Sequence, residues 1–482
     1  MRARKPSLTG NGSTGPPPSR ADASSFRDPT STVFYADGRV LRGLTESGAS
    51  DLSAVEGTGL LERLTLTRKL VPTTKLHGVL PAAPASAVED WTVILEHERV
   101  PFVSYPFEWC FGMLKDAAIL HLEVLIEALA HGVATKDGHA YNVQWWGSVP
   151  RFIDVPSFTM HAAGPWAGYR QFCETFLNPL FLQAHHGVDF QPWLRGRLAG
   201  IPVADMLRMV SVRDLVRRGV LRHVVLHGLM ERQSTGPSQA TARAMTEAGF
   251  DASVARVAGV SLLKLVRSMS WRPQPSAWST YSATNTYDGA GHAEKVAFVE
   301  WAVLVDGPAK LVLDLGCNDG TYSRIAARTA DYVVAVDSDH PTVERLYQSL
   351  RAAQIGNVLP LVMDLGDPTP ALGWRNVERR AFFDRARPEV VLCLALVHHL
   401  AIGSNVRLPE IVAWLRSFGC PVVVEFVHRD DPMVRRMLAD KPIDHSDYNT
   451  EEFERSLAGC FRIARQQPLS SGTRTLYLAL PT

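Results

Sequence analysis

Apolar residues follow two different rhythms along this chain. From residue 311 onward they come as short unbroken runs: Leu311-Val-Leu, Tyr332-Val-Val-Ala-Val336, Val358-Leu-Pro-Leu-Val-Met363, Val390-Val-Leu-Cys-Leu-Ala-Leu396 and Val422-Val-Val. Helix-periodic, more polar stretches separate them. Short continuous apolar runs alternating with helices predict strands buried on both faces, hence a parallel, doubly wound sheet. Phe461-Arg-Ile-Ala and Thr475-Leu-Tyr-Leu-Ala-Leu480, with Ser470-Ser-Gly472 between them, read as a closing antiparallel pair, for seven strands in all.

The earlier rhythm is mixed. Residues 32–41 alternate about Asp37-Gly38, a two-residue hairpin signal. Residues 91–95 and 100–105 read as further strands. Leu114, Ala118, Leu122, Leu125 and Leu129 recur at helical spacing and predict one long helix within residues 107–132; residues 254–269 predict another. Residues 6–25, rich in Ser, Gly, Pro and Thr, read as part of a disordered tail, and the small polar stretch from residue 234 as a linker. The expected organisation is a tail (1–25), a mixed α+β domain (26–233), a linker with a helix (234–285) and an α/β domain (286–482).

Composition changes this picture little. A chain of 482 residues with 46% hydrophobic content can fill two cores, and a formal charge of +1 gives no general pull toward nucleic acid or anionic membrane. The six cysteines are scattered without a C-x-x-C pair, so neither a disulfide framework nor a metal site is expected. No apolar run reaches the roughly 18–20 residues of a membrane span. The basic start Met1-Arg-Ala-Arg-Lys5 has no hydrophobic core after it, and a cytoplasmic location is the expectation.

The chemistry lies where the strands end. Asp314 precedes the turn Gly316-Cys-Asn-Asp-Gly320, a helix follows, and seventeen positions past Gly320 the second run ends in Asp337. Asp364 ends the third run. A glycine turn lets backbone approach a nucleoside, and a carboxylate at the next strand end suits ribose hydroxyls. An acid ahead of the first glycine would repel a pyrophosphate but suits a ligand carrying an ammonium and a sulfonium. Here the sequence resembles the class I S-adenosylmethionine-dependent methyltransferases, with Asn318 standing where that family has its middle glycine. The resemblance implies a Rossmann-like seven-stranded sheet and S-adenosyl-L-methionine as cofactor. It implies contacts from Asp314, Gly316, Asn318, Gly320, Asp337, Asp364 and Leu394, and from Tyr287 and Lys295 in the segment before the first strand. His398 and His399, just past the fourth strand, are placed at the acceptor side as candidate bases, with Glu425 and His428 near them.

In the first half, Asp137 is followed by Asn142 and, twelve residues on, by Asp154. Order and spacing resemble the catalytic loop and metal-binding acid of protein kinases, which implies a kinase-like domain. A glycine-rich loop and a convincing strand lysine are missing, and Arg42 is a positional candidate for the latter. The same residues also read as turn and strand-end polar groups. Together the two halves resemble the large bacterial methyltransferase-like proteins related to host-specific nodulation proteins. The blocks that carry this include Tyr105-Pro-Phe-Glu-Trp109, Phe152-Ile-Asp154, Tyr169-Arg-Gln-Phe172 and Val397-His-His-Leu400. The expected activity is O- or N-methylation of a small-molecule or glycan acceptor rather than of nucleic acid. The alternative is a kinase-like phosphotransferase or nucleotide binder with a regulatory cofactor domain.

Overall fold

The computed structural model describes residues 20–77, 91–162, 164–229, 252–274, 289–439, 441–442 and 445–482. Most of the expected tail, the polar stretch from 234 and Tyr287 lie outside the described residues.

The N-terminal half opens with an antiparallel sheet of order β1-β2-β3-β5-β4, made of Arg20–Ala21, Ser31–Ala36, Arg39–Leu44, Thr73–Lys75 (β4) and Val93–His97 (β5). Asp37 and Gly38 both take positive φ, 50° and 75°, as the tight β2–β3 hairpin requires. The stretch 100–105, expected as a strand, forms none. Pro101 lacks a ladder donor, and Gln144 meets the backbone groups of Ser104 in place of a neighbouring strand (N–H to Oε1 3.0 Å, Nε2 to O 2.9 Å). The long helix Phe111–Ala130 follows, and its apolar stripe forms the centre of this half. After it come Val133–Thr135 (β6), Val143–Trp146 (β7), Val149–Phe152 (β8) and Phe158–Met160 (β9). β6 pairs with β9 and β7 with β8.

The C-terminal half is built on one sheet. Its strands are Leu311–Leu315 (β10), Tyr332–Asp337 (β11), Val358–Val362 (β12), Val390–Cys393 (β13), Val422–Val427 (β14), Phe461–Pro468 (β15) and Arg474–Pro481 (β16). They lie in the order β12-β11-β10-β13-β14-β16-β15. The first five are parallel and the last two antiparallel, with β16 slotted beside β14. β12, β13 and β14 are buried along their whole length, which explains their unbroken apolar runs. The chain order reverses between β10 and β13, and ligands of such sheets bind beyond the strand carboxyl ends at that point.

The halves meet over a packed, polar-studded interface. Gly112 presents its N–H to Glu344 at 2.7 Å, where a Cβ would stand 2.6 Å from Gln348 Nε2. Tyr347 donates to Asp116 at 2.6 Å, and Arg385 forks onto Glu108 in an ion pair that is almost wholly buried. Among the described residues no helix is long and apolar enough to cross a membrane.

Candidate active site

A cavity of about 680 Å³ opens beyond the carboxyl ends of β10, β11, β12 and β13. Asp314, Gly316, Asn318, Asp337, Asp364, Leu394, Lys295 and His399 all line it. Local sequence explains how. Gly316 and Cys317 hang their N–H groups on the Val336 carbonyl, fastening the first turn to the end of β11. Gly316 has φ 74° and Asn318 φ 48°. Asn is among the few non-glycine residues that tolerate this left-handed region, which accounts for its place at the middle of the turn. Gly320 (φ 76°) caps the next helix instead of lining the cavity, and a Cβ on it would meet Leu346 at 2.4 Å.

The acids differ in setting. Asp314 is 2% exposed, and Ser323 Oγ donates to its Oδ2 at 2.6 Å. Burial pushes its carboxyl up to about 6, with Ser323 and the Lys295 charge pulling the other way. Asp337 accepts the Asn318 N–H on one oxygen and the Asp339 N–H on the other, both at 2.9 Å, and burial raises its pKa too. Asp364 is exposed at the rim and accepts the Gly366 N–H at 2.8 Å. Met363, Leu365, Leu394 and Leu400 supply apolar wall.

Three expectations need correction. His398 does not reach the cavity: it is fully buried, neither ring nitrogen has a hydrogen-bond partner among the described residues, and burial, with His399, Arg474 and Lys295 nearby, holds it well below the usual imidazole range. Only His399 faces the cavity, and burial with the Arg474 charge lowers it to about 4. Glu425 is buried beneath the site rather than in it. Its Oε2 takes Lys295 Nζ at 2.6 Å and its Oε1 takes Arg474 Nη1 at 3.3 Å, while Arg474 Nε also reaches Asp431 at 3.0 Å. Lys295 thus lines the cavity with its ammonium engaged by Glu425, its Nζ 4.5 Å from the Tyr322 ring centroid. His428 bonds Thr475 Oγ1 at 2.9 Å and is also off the cavity. Residues not anticipated from sequence are Ser323, Tyr322, His292, Ser404 and Met437. Only Ser323, on the first turn after the glycine motif, carried a signal.

In the N-terminal half Asp137, Asn142 and Asp154 do come together. Asn142 Nδ2 donates to Asp137 Oδ1 at 2.6 Å, as does Ser157 Oγ at 3.0 Å, while Arg42 on β3 pairs with Asp154 at 2.5 Å. Burial, then the Asp154 charge, raises Asp137 to about 6. Among the described residues no set of three or more His, Cys, Asp or Glu is placed to hold a metal ion.

The sheet order, the acid-and-glycine turn at its switch point and the acid-ringed cavity define the class: the chain is an S-adenosylmethionine-dependent methyltransferase. It is 33% identical over 475 residues, 96% of each chain, to nodulation protein NoeA of Rhizobium meliloti (strain 1021), and it belongs to that family. A tRNA/tmRNA (uracil-C(5))-methyltransferase of Vibrio cholerae serotype O1 is 27% identical over 199 residues, 40% of this chain and 53% of that one. Among solved structures, the magnesium protoporphyrin IX methyltransferase ChlM from Synechocystis PCC 6803 with bound SAH matches at 18% identity and a TM-score of 0.30. That match covers 44% of this chain and 90% of the other. The N-methyltransferase NodS from Bradyrhizobium japonicum WM9, in complex with S-adenosyl-l-homocysteine, matches at 13% and 0.30 over 40% and 90%. At such scores neither structure constrains the present chain. No family model matches.

Proposed function

We propose that the cavity holds S-adenosylmethionine through Asp314, Asp337 and Asp364 and passes its methyl group to a neutral or cationic acceptor of small-molecule or glycan type. The single observation that carries this is the buried Asp314. Its oxygens have one hydroxyl donor and no ion pair among the described residues, so the raised carboxyl is poised for a cation, as an amino-acid ammonium would supply. Asp337 accepts backbone N–H groups, and the lone pairs a carboxylate has beyond these suit a ribose diol. Asp364, with Leu365 and Met363 beside it, suits an adenine edge and face. Gly316 and Asn318 shape the turn under the ligand, and Leu394 walls its far side. Gly320 supports from behind, and Lys295 acts through its field on Asp314. Tyr287 stays a proposed contact on sequence grounds alone.

When bound, the cofactor supplies a methyl carried on a sulfonium, whose charge is lost on transfer. The chain's part is to align the acceptor, exclude water and accept a proton where the acceptor is a hydroxyl or amine. His292 also lines the cavity, and His399, past the fourth strand, is the candidate base. Its low pKa keeps it neutral at pH 7, able to accept a hydrogen bond from the acceptor on a ring nitrogen and to orient it, though weak as a base.

Asp314, Asp319, Asp337 and Asp364 all line the cavity, against Lys295 as the one Lys or Arg among the described lining residues, itself matched by Glu425. That balance favours acceptors without phosphate, and with it we place nucleic acid second. The test is S-adenosylhomocysteine release across panels of amines, sugars, lipid-free glycans and tRNA. Turnover confined to tRNA would overturn the acceptor reading.

We further infer that the N-terminal half, taken as residues 26–233, is kinase-like in architecture. Support comes from β3, β5 and β4 adjoining in that order with two helices, Glu46–Glu56 and Leu60–Leu66, between β3 and β4. The Asp137–Asn142 loop lies between β6 and β7, and Asp154 follows the β7–β8 hairpin with Arg42 reaching it from β3. Residues 286–482 form the methyltransferase domain.

A further inference from the structure

Between β12 and β13 the C-terminal half sends out a small hairpin, closed by reciprocal Leu372–Arg379 backbone bonds of 2.8 and 2.9 Å. Its tip, residues 373–377, is exposed, but its returning arm, Glu378 to Arg380, lies on the N-terminal half near the loop that carries Asp137 and Asn142. Glu378, only 5% exposed, receives a two-pronged contact from Arg27, Nε at 2.8 Å and Nη2 at 2.9 Å, and the Trp374 N–H at 2.9 Å. The Arg27 bond, chiefly, holds its carboxylate at about 2. Arg379 lies over the ring of Tyr141, next to Asn142, at 4.2 Å, and at 5.9 Å from that of Tyr105. Tyr105 in turn accepts the Arg380 N–H at 3.0 Å, and the Tyr141 ring lies tilted 5.0 Å from that of His139, two residues from Asp137. The far end of the segment is pinned by Arg385 on Glu108 and on the Val103 carbonyl.

A nucleotide reaching Asp137, Asn142 and Asp154 in a kinase-like cleft must pass between the sheet and the loop and set an anion near a cation there. That approach is taken by the chain itself. We propose that the 372–385 segment of the methyltransferase half is the resident occupant of the N-terminal cleft, resting on Tyr105 and Tyr141 beside the Asp137–Asn142 loop and held at the rim by the Glu378 carboxylate on Arg27. The N-terminal half is then a closed cradle for the segment leading out of Asp364, not a nucleotide-accepting enzyme. The cradle has a second hold on that segment: Arg195 forks onto both oxygens of Asp367, at 2.9 and 3.0 Å, three residues past Asp364. The inference rests on the kinase-like reading for its account of what the occupant excludes, but not for the contact.

The experiment uses the full chain: a charge-swap cycle of Arg27→Glu, Glu378→Arg and the double swap, followed by melting temperature. ATP with Mg²⁺ is titrated calorimetrically into wild type and into Glu378→Ala. Each single swap is expected to lower the melting temperature by roughly 1–3 °C, and the double swap to regain most of it. Wild type should show no saturable heat with ATP and Mg²⁺. One-to-one nucleotide binding by wild type, or single swaps that melt like wild type, overturns the proposal. Coupling in the cycle together with nucleotide binding to Glu378→Ala alone supports both the occupant and the kinase-like reading. Coupling with binding to neither protein upholds the occupant and drops only the kinase-like reading.

Discussion

Replacing Asp314 by Asn should make the cofactor-free protein more stable while removing its hold on the cofactor. In the folded chain the carboxyl titrates at about 6 against an ordinary value of 3.8. The folded form therefore binds this proton more tightly. The resulting stabilisation is present in full below pH 3.8 and is lost as pH rises through 6. At pH 7.5 the ionised, buried carboxylate costs the folded state roughly 3 kcal/mol, and at pH 5 roughly half of that. Asn keeps an acceptor for Ser323 but never ionises. The amide adds its own fixed burial cost of about 1–2 kcal/mol, so the diagnostic quantity is the slope. The stability of Asp314→Asn relative to wild type should grow by roughly 1–2 kcal/mol between pH 5 and pH 7.5. Denaturant melts of both proteins across that range measure it. In parallel, S-adenosylhomocysteine affinity should drop roughly 30- to 150-fold at pH 7.5, as expected for losing a charge-assisted contact of about 2–3 kcal/mol. Wild-type affinity should fall about tenfold per pH unit below 6, and that of the variant should not. A stability difference independent of pH, or a variant that binds like wild type, would refute the reasoning.

Three further outcomes are expected. His399→Gln should leave S-adenosylhomocysteine affinity within about twofold of wild type and slow S-adenosylhomocysteine formation about a hundredfold with a hydroxyl or amine acceptor. With a pKa of about 4, the His399-dependent rate should be flat from pH 6 to 8. Glu425→Gln removes the buried carboxylate that Lys295 and Arg474 share, leaving Arg474 its bond to Asp431, and should cost about 3–5 kcal/mol in denaturant melts, against under 1 kcal/mol for the exposed Arg435→Ala control. Arg385→Ala leaves Glu108 buried without its ion-pair partner and should cost a similar 3–5 kcal/mol, whereas a paired Glu108→Leu, Arg385→Leu replacement should recover most of it.

Much of this was legible in the chain, for identifiable reasons. Strands buried on both faces must be continuously apolar, so β10 to β14 announce themselves, and Asp314, Asp337 and Asp364 each directly follow such a run. Asp37-Gly38 named its own hairpin because few other pairs take two positive φ angles. What stayed hidden depends on distance or direction. His398 and His399 are adjacent in sequence, and only the tertiary packing decides that the first enters the core and the second the cavity. Lys295 and Glu425 are 130 positions apart, and nothing local pairs them. The 100–105 stretch has strand-like residues, but a side chain, Gln144, meets its backbone. The Glu378 hairpin reads as an ordinary polar loop, since its partner Arg27 lies 351 residues away.

The central claim, that the C-terminal cavity is the methyl-donor site, is tested most directly by calorimetric titration of S-adenosylmethionine and S-adenosylhomocysteine into wild type and Asp337→Ala. The account predicts saturable one-to-one binding of both by wild type, weakened at least about a hundredfold by the substitution, as for a lost carboxylate accepting two hydroxyls. Folded wild type that binds neither, or Asp337→Ala that binds as well as wild type, would contradict it.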